Sequence, residues 1–410
     1  MAICLKVGNV LKTIIDEFIN NKDVQSIVDG VEAGFKEQLV TGLSGSSRSL
    51  LMSSLYQNGK RPILIVTHNL LQAQKVVDDL VSLLPNEKIY LFPTNEMIAA
   101  EMSVSSPELR AQRIAALNHF STGKGGILVT PLAGLKKQLP PKEEWTKNQL
   151  VLKQGNDIDL KQVSINLVAM GYNRSHMVSA PGEFSIRGGI LDVYPLTEEN
   201  PLRLELFDTE IDTIRSFSLE SQRSIENLPE ITLGPAAEFI VSEIQLNQLA
   251  EKIKLKVPHT LSKIKDVKIK EDFMKRMESD IERLSNGQKI DHLIRYFSLL
   301  YNKSASLLDY FHQKGVVIFD EISRIQEVNE QIDLDDSNYY FSLLENGETL
   351  HDLVFTHKYV DLIHATKNPI IYLSLFLRGV PHASPQNIIN FSCKPMQTFH
   401  GQMSLFKAEI

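Results

Sequence analysis

A chain of 410 residues with 43% hydrophobic and 23% charged content has the make-up of an ordinary globular protein, not of a disordered, fibrous or membrane chain. It exceeds the roughly 250–300 residues at which a single hydrophobic core stops growing, so two or three domains are expected. The net charge of -7 argues against coating nucleic acid by bulk electrostatics, and only two cysteines, Cys4 and Cys393, exclude a disulfide framework or a thiolate-rich metal site.

The first ten residues, MAICLKVGNV, carry a Lys inside a weak apolar run and no small-residue cleavage pattern, and no stretch approaches the ~18 apolar residues of a membrane span. A cytoplasmic protein is expected. Between about residues 10 and 38, Ile14, Ile15 and Phe18, then Ile27, Val28, Val31 and Phe35, recur at helical spacing and predict two amphipathic helices. Strands then alternate with helices: a strand Gln38–Gly42, a helix Ser49–Asn58, a strand Pro62–Thr67, a helix Leu70–Leu84, a strand Lys88–Phe92, a helix Pro107–Ser121 and a strand Gly126–Thr130. That rhythm is the mark of βαβ units and a parallel sheet, so residues 1–147 read as the first part of an α/β domain.

Over residues 148–233 strands dominate: Leu150–Lys153, one helix Asp159–Met170, then Gly189–Tyr194, Leu202–Phe207 and Thr213–Ser218, punctuated by Pro181-Gly182 and Gly188-Gly189. This predicts a small inserted α+β module. Residues 234–380 turn helical over Leu249–Leu284 and then supply two apolar strands, Gly315–Phe319 and Pro369–Ser374, which fit as missing strands of the first sheet, making the α/β domain discontinuous. Residues 381–410 read as a linker and the truncated start of a further domain. Lys252–Lys275 is Lys-rich, but acids interleave it and no aromatics accompany it, so a solvated helical face is the favoured reading. The eleven histidines show no HxxxH or HExxH spacing, so no metal site is expected.

The predicted strand ending at Gly42 runs into GLSGSSRS and a helix, the setting of a phosphate-cradling loop of the form GxxxxGK[ST]. Gly42 and Ser49 keep that register, and Gly45 lies within the loop at a position the pattern leaves free. Ser47 stands where the backbone-wrapping Gly belongs, and Arg48 where a compact Lys charge would reach the phosphates. Ser49 remains a candidate Mg²⁺ ligand. Val316–Phe319 followed by Asp320 and Glu321 has the form of a strand ending in acids that organise Mg²⁺ and activate water. Acids at a helix start are also common for electrostatic reasons alone. The two remnants together read as a degenerate P-loop NTPase-like sheet domain that has lost its nucleotide, an ordinary Gly/Ser-rich loop being the plainer alternative.

Longer strings carry a resemblance. EQLVTGLSGSSRS (37–49), PILIVTHNLLQAQKVVDDL (62–80), SSPELRAQR (105–113), VSAPGEFSIRGGILDVYPLT (178–197), RLELFDTEIDTIRSF (203–217), SLLDYF (306–311), SLFLR (374–378) and SPQNIINF (384–391) resemble the N-terminal part of the bacterial transcription-repair coupling factor family (Mfd), across nearly the whole chain. The same region is similar to the excision-repair protein UvrB. This implies a UvrB-shaped, two-part α/β domain without UvrB's intact phosphate loop. It also implies no lesion-probing aromatic hairpin, since Pro93–Arg113 is short and lacks an aromatic cluster.

In the family the inserted module docks the damage sensor UvrA. The resemblance places that role on Arg174 and Arg187, thirteen residues apart, and on Arg203 and Glu205, which share a strand face, with Phe184 and Phe207 as candidate anchors. Ser185 departs from the pattern, standing where UvrB has a second Arg. The bland alternative is a solvated sheet face whose ion pairs contribute about 0–1 kcal/mol. The family's full-length protein is an ATP-driven DNA translocase that releases stalled RNA polymerase. ATP, Mg²⁺, DNA and polymerase contacts are therefore implied for family regions beyond this chain, with no cofactor and no catalytic residue here. The missing part could also clamp over the docking face. An active UvrB-like ATPase in which Arg48 substitutes for Lys is the alternative the residues leave open.

Overall fold

The computed structural model describes residues 13–95, 106–301 and 303–393. Cys4 and much of Pro93–Arg113, the short segment in place of an aromatic hairpin, lie outside them. Fifteen strands are present among the described residues: β1 Glu37–Thr41, β2 Ile63–Thr67, β3 Ile89–Leu91, β4 Ile127–Pro131, β5 Leu150–Lys153, β6 Asn173–Arg174, β7 Glu183–Arg187, β8 Ile190–Val193, β9 Leu202–Phe207, β10 Glu210–Phe217, β11 Ser224–Asn227, β12 Glu230–Leu233, β13 Val316–Phe319, β14 Ile370–Ser374 and β15 Asn387–Asn390.

Seven of them form a parallel sheet in the order β15-β1-β14-β13-β2-β4-β3. β2, β4, β13 and β14 are buried at every position, as continuous apolar strands covered on both faces should be. Their side chains alternate between two cores. Leu64, Val66, Leu128, Val317 and Phe319 face one, with the helix Pro107–Ser121 and Trp145. Ile63, Ile65, Ile127, Val129 and Ile318 face the other, with the helices Lys22–Glu32, Ser46–Gln57 and Leu70–Leu83. The two late strands β13 and β14 insert between β1 and β2, so sequence positions some 270 residues apart share one sheet edge.

The expected linker after residue 380 is in part a strand. β15 pairs in parallel with β1, Phe391 N–H donates to Thr41 O at 2.9 Å, and Ile389 and Phe391 join the core on the helix Lys22–Glu32 side. The Pro- and Ser-containing GVPHASPQN disguises the entry to this four-residue edge strand. Gly42 is explained by the same contact: at φ +80° its Cβ would lie 1.9 Å from Phe391 O, so only glycine lets β15 close against β1.

A six-stranded sheet, β11-β10-β9-β8-β7-β6, is antiparallel except for β6 beside β7. One face packs Phe184, Leu191, Val193, Leu202 and Leu204 against Val163 and Leu167 of the helix Leu160–Ala169. The other face, called the open face below, is partly exposed, as is ordinary for an antiparallel sheet: Arg187, Glu205, Phe207 and Arg215 reach solvent there, while Ser185, Asp192 and Phe217 are buried. β5 and β12 form a separate pair beside it.

The expected helical stretch Leu249–Leu284 is two helices, Glu243–Lys263 and Val267–Ser285. The break comes at extended Ile264, and Asp266 caps the second helix by accepting from Ile269 N–H. They build a core of their own with Tyr296, Phe297 and Leu350. A buried ion pair ties the segment after β12 back to the first sheet: Arg113 grips Glu238, with Nη2 donating to Oε2 at 3.1 Å. Burial alone would raise the Glu238 carboxyl, but Lys137, Arg113 and Arg110 around it hold it below its ordinary pKa. Among the described residues no helix is long and apolar enough to cross a membrane.

Candidate functional site

Two places gather the residues singled out in the sequence. The first is the carboxyl edge of the parallel sheet, where strand ends leave a crevice suited to ligands. The chain leaves β1 through Gly42 and enters the helix Ser46–Gln57 at Gly45. The loop is closed on itself: Ser44 N–H donates to Ser47 Oγ at 2.9 Å, and that hydroxyl donates to Ser44 O at 2.7 Å. Arg48 reaches across to the end of β13, where Nη1 donates to Asp320 Oδ1 at 3.0 Å and lies 3.7 Å from Glu321. Gln72 Nε2 donates to the other Asp320 oxygen at 3.2 Å.

The Asp320 carboxylate is buried and both its oxygens are engaged. Glu321 stands at the start of the next helix, Ile322–Glu345, with a left-handed backbone at φ +63° and no side-chain cap bond to that helix; its carboxylate accepts from Leu375 N–H at 3.2 Å. Ser49 is a correction. It is buried and its hydroxyl donates to Asp79 on the helix Leu70–Leu83 at 2.8 Å, so it faces helix packing and not the Asp320 crevice where a Mg²⁺ ligand would stand. A cavity of about 250 Å³ remains beside Arg48, lined by Ser44, Gly45, His68, Gln72, Arg324 and Leu375. No group of three or more His, Cys, Asp and Glu able to hold a metal occurs among the described residues.

The second place is the open face of the six-stranded sheet. Register pairs Asp192 with Arg203, Ile190 with Glu205 and Arg203 with Arg215, and alternation along β9 turns Arg203, Glu205 and Phe207 to one side. Arg187, Arg203, Glu205 and Phe207 are thus brought together. At the centre is Asp192, whose side chain is 2% exposed. It accepts from Arg203 Nε at 2.6 Å and Nη2 at 2.8 Å, and from Arg187 Nη2 at 2.7 Å. Arg203 also donates to Gln222 Oε1 at 3.1 Å and lays its guanidinium over Phe217, 4.3 Å from the ring centre. It is 14% exposed, whereas Arg187 is 47% exposed.

Glu205 pairs with Arg215 and not with Arg203: Arg215 Nη1 donates to its Oε2 at 3.1 Å. Phe207 stands 80% exposed at the end of β9. Phe184 is a correction, because its ring is wholly buried in the core beneath the sheet and cannot anchor a partner. Arg174 is exposed on the edge strand β6, but its register partner is Phe184, so the pleat assigns it to the other side from Arg187. Ser185 is buried and its hydroxyl donates to His176 O at 2.8 Å, a role internal to the sheet's edge loop.

Sequence reading missed Asp192, Arg215 and Phe217. An acid between Leu191 and Val193, inside an apolar strand, was the available signal: a carboxylate at such a position must be paired.

Residues 150–239, which contain the whole of this sheet, match the family described as the UvrB interaction domain. A transcription-repair-coupling factor of Bacillus subtilis (strain 168) is 47% identical over 400 residues, 98% of this chain and 34% of that protein. Two of Staphylococcus aureus, from strains MRSA252 and USA300, are each 36% identical over 404 residues with the same coverage. The chain spans about a third of the length of these curated relatives. Along 98% of its length the chain is similar to these transcription-repair-coupling factors, over a stretch that makes up 34% of each of them.

Proposed function

We propose that the chain is a docking module that presents the open face of its six-stranded sheet to UvrA and so brings excision repair to RNA polymerase stalled at DNA lesions. One observation carries this reading: the match to the UvrB interaction domain falls on the sheet that holds Arg187, the Glu205–Arg215 pair and exposed Phe207 together on one partly exposed face. Charged groups so arranged confer register and partner choice, and an exposed aromatic beside them supplies an anchor. ATP-driven translocation on DNA, polymerase release and any clamp over this face belong, in this reading, to the parts of the longer relatives outside this chain.

The same reading assigns no ATP hydrolysis to the crevice at Arg48, whose loop is a degenerate phosphate loop. A phosphate-binding loop needs free backbone N–H groups and a cation aimed at the phosphates. Here Ser44 N–H is taken by Ser47, and the Arg48 guanidinium is drawn to Asp320. The test is capture of purified UvrA by the 410-residue chain, with calorimetry against ATP and Mg²⁺ alongside. Saturable UvrA binding without nucleotide heat at millimolar ATP is expected. Absence of UvrA binding, or hydrolysis of ATP, would overturn the reading.

A further inference from the structure

On the docking face the two arginines that a sequence pattern treats alike are in different states. The polar edge of Arg203 is committed, with Nε and Nη2 on Asp192 and Nη2 also on Gln222, and its flat face is covered by Phe217. Arg187 gives Nη2 to Asp192 and keeps about half of its side chain in solvent. A guanidinium has five N–H donors in a rigid fork, so one tethered arm fixes the direction in which the others point. The carboxylate that does the tethering is itself buried in the strand and gripped by Arg203 at two points, one on Oδ1 and one on the Oδ2 that it shares with Arg187.

We infer that Asp192 is the positioning residue of the docking face: backed by Arg203, it aims the Arg187 guanidinium fork at a carboxylate of the partner. Arg203 acts through Asp192 and does not itself touch the partner. This rests on the docking reading above and deepens it, by separating the arginine that is offered from the pair that holds it. It makes a prediction of opposite sign to simple charge matching. Neutralising Asp192 raises the positive charge of the face, so if the arginines attracted an acidic partner through net charge alone, binding would tighten. If Asp192 aims Arg187, binding weakens, because an Asn amide turns an N–H toward one of the guanidinium groups it must satisfy.

The experiment is calorimetric titration of UvrA into the 410-residue chain for wild type, Asp192→Asn, Arg187→Gln and the double variant, with near-ultraviolet circular dichroism to establish that each is folded. Asp192→Asn is expected to weaken binding roughly tenfold, and to weaken it no further in the Arg187→Gln background, since coupled residues are not additive. Equal or tighter binding by Asp192→Asn, or full additivity in the double variant, overturns the inference. If Asp192→Asn proves unfolded, Arg203→Lys asks the same question, keeping the charge while losing the two-point grip, and it too must weaken binding. Should wild type fail to bind UvrA, the docking reading falls. The hub is then read directly by side-chain NMR: the Arg203 Nε–H is expected to exchange slowly with water in wild type and fast in Asp192→Asn, and equal exchange in the two would overturn it.

Discussion

The crevice of the parallel sheet and the open face of the antiparallel one are built from the same chemical unit, an arginine on a buried aspartate, put to opposite uses. At the crevice, Arg48 spans from one helix start to the strand end at Asp320 and lines one side of a cavity of about 250 Å³. On the open face, Asp192 sits under the sheet surface and holds Arg187 outward. The aspartates are equally buried, so their burial does not separate the two. What differs is the number of arginines. At the crevice one arginine serves two acids, Asp320 and Glu321. With two arginines on Asp192, Arg203 supplies the neutralisation and the second arginine is left with donors to offer.

The sharpest way to test that contrast is Arg203→Ala. Asp192 would keep only the half-exposed Arg187, and Phe217 would lose its cationic cover, so a loss of about 3–5 kcal/mol is expected in urea unfolding. A loss below about 1 kcal/mol would make the unit an ordinary surface ion pair. Next in size is Arg187→Glu, which sets an acid beside buried Asp192. UvrA affinity should fall on the order of 100-fold, with the sheet still folded by circular dichroism; retained affinity would remove Arg187 from the site.

Arg48→Ala should cost less, about 1–2 kcal/mol, because Gln72 still serves Asp320 and a quarter of the Arg48 side chain is in water. Thermal unfolding measures it, and calorimetry of the same variant shows whether Arg48 alone closes the crevice: no ATP heat is expected, since Ser47 still occupies the loop. The smallest effect on stability belongs to Phe207→Ala, within about 0.5 kcal/mol for so exposed a ring. A several-fold loss of UvrA affinity without a change in melting is the expected signature of an anchor.

Much of the architecture was legible. The helix Pro107–Ser121 and the strands Leu150–Lys153 and Leu202–Phe207 have the ends that their periodicity predicts, and β13 and β14 read as apolar strands because a parallel sheet buries both of their faces. β15 was hidden. It is short and lies at the sheet edge, and its partner β1 is some 350 residues away, so little in its local pattern distinguishes it from a loop. Phe184 and Phe207 show the same limit within one module. Each is an aromatic on a short strand, but Phe184 shares its pleat with the core that Leu191 and Val193 enter, while Phe207 follows Arg203 and Glu205 on the open side.

Residue type and spacing by themselves determined that the stretch after β1 departs from GxxxxGK[ST] at Ser47 and Arg48, that Arg203 and Glu205 share a face, and that a strand-rich stretch follows one of alternating strands and helices. Those are local properties, set by side-chain identity and by the periods of strand and helix. Only the tertiary structure decided which charges meet: Arg48 with Asp320 across 272 residues, Glu205 with Arg215 instead of Arg203, and Asp192 beneath two arginines. Ion-pair partners are chosen by strand register and by which carboxylate is buried deepest, and both are fixed only when the sheets assemble.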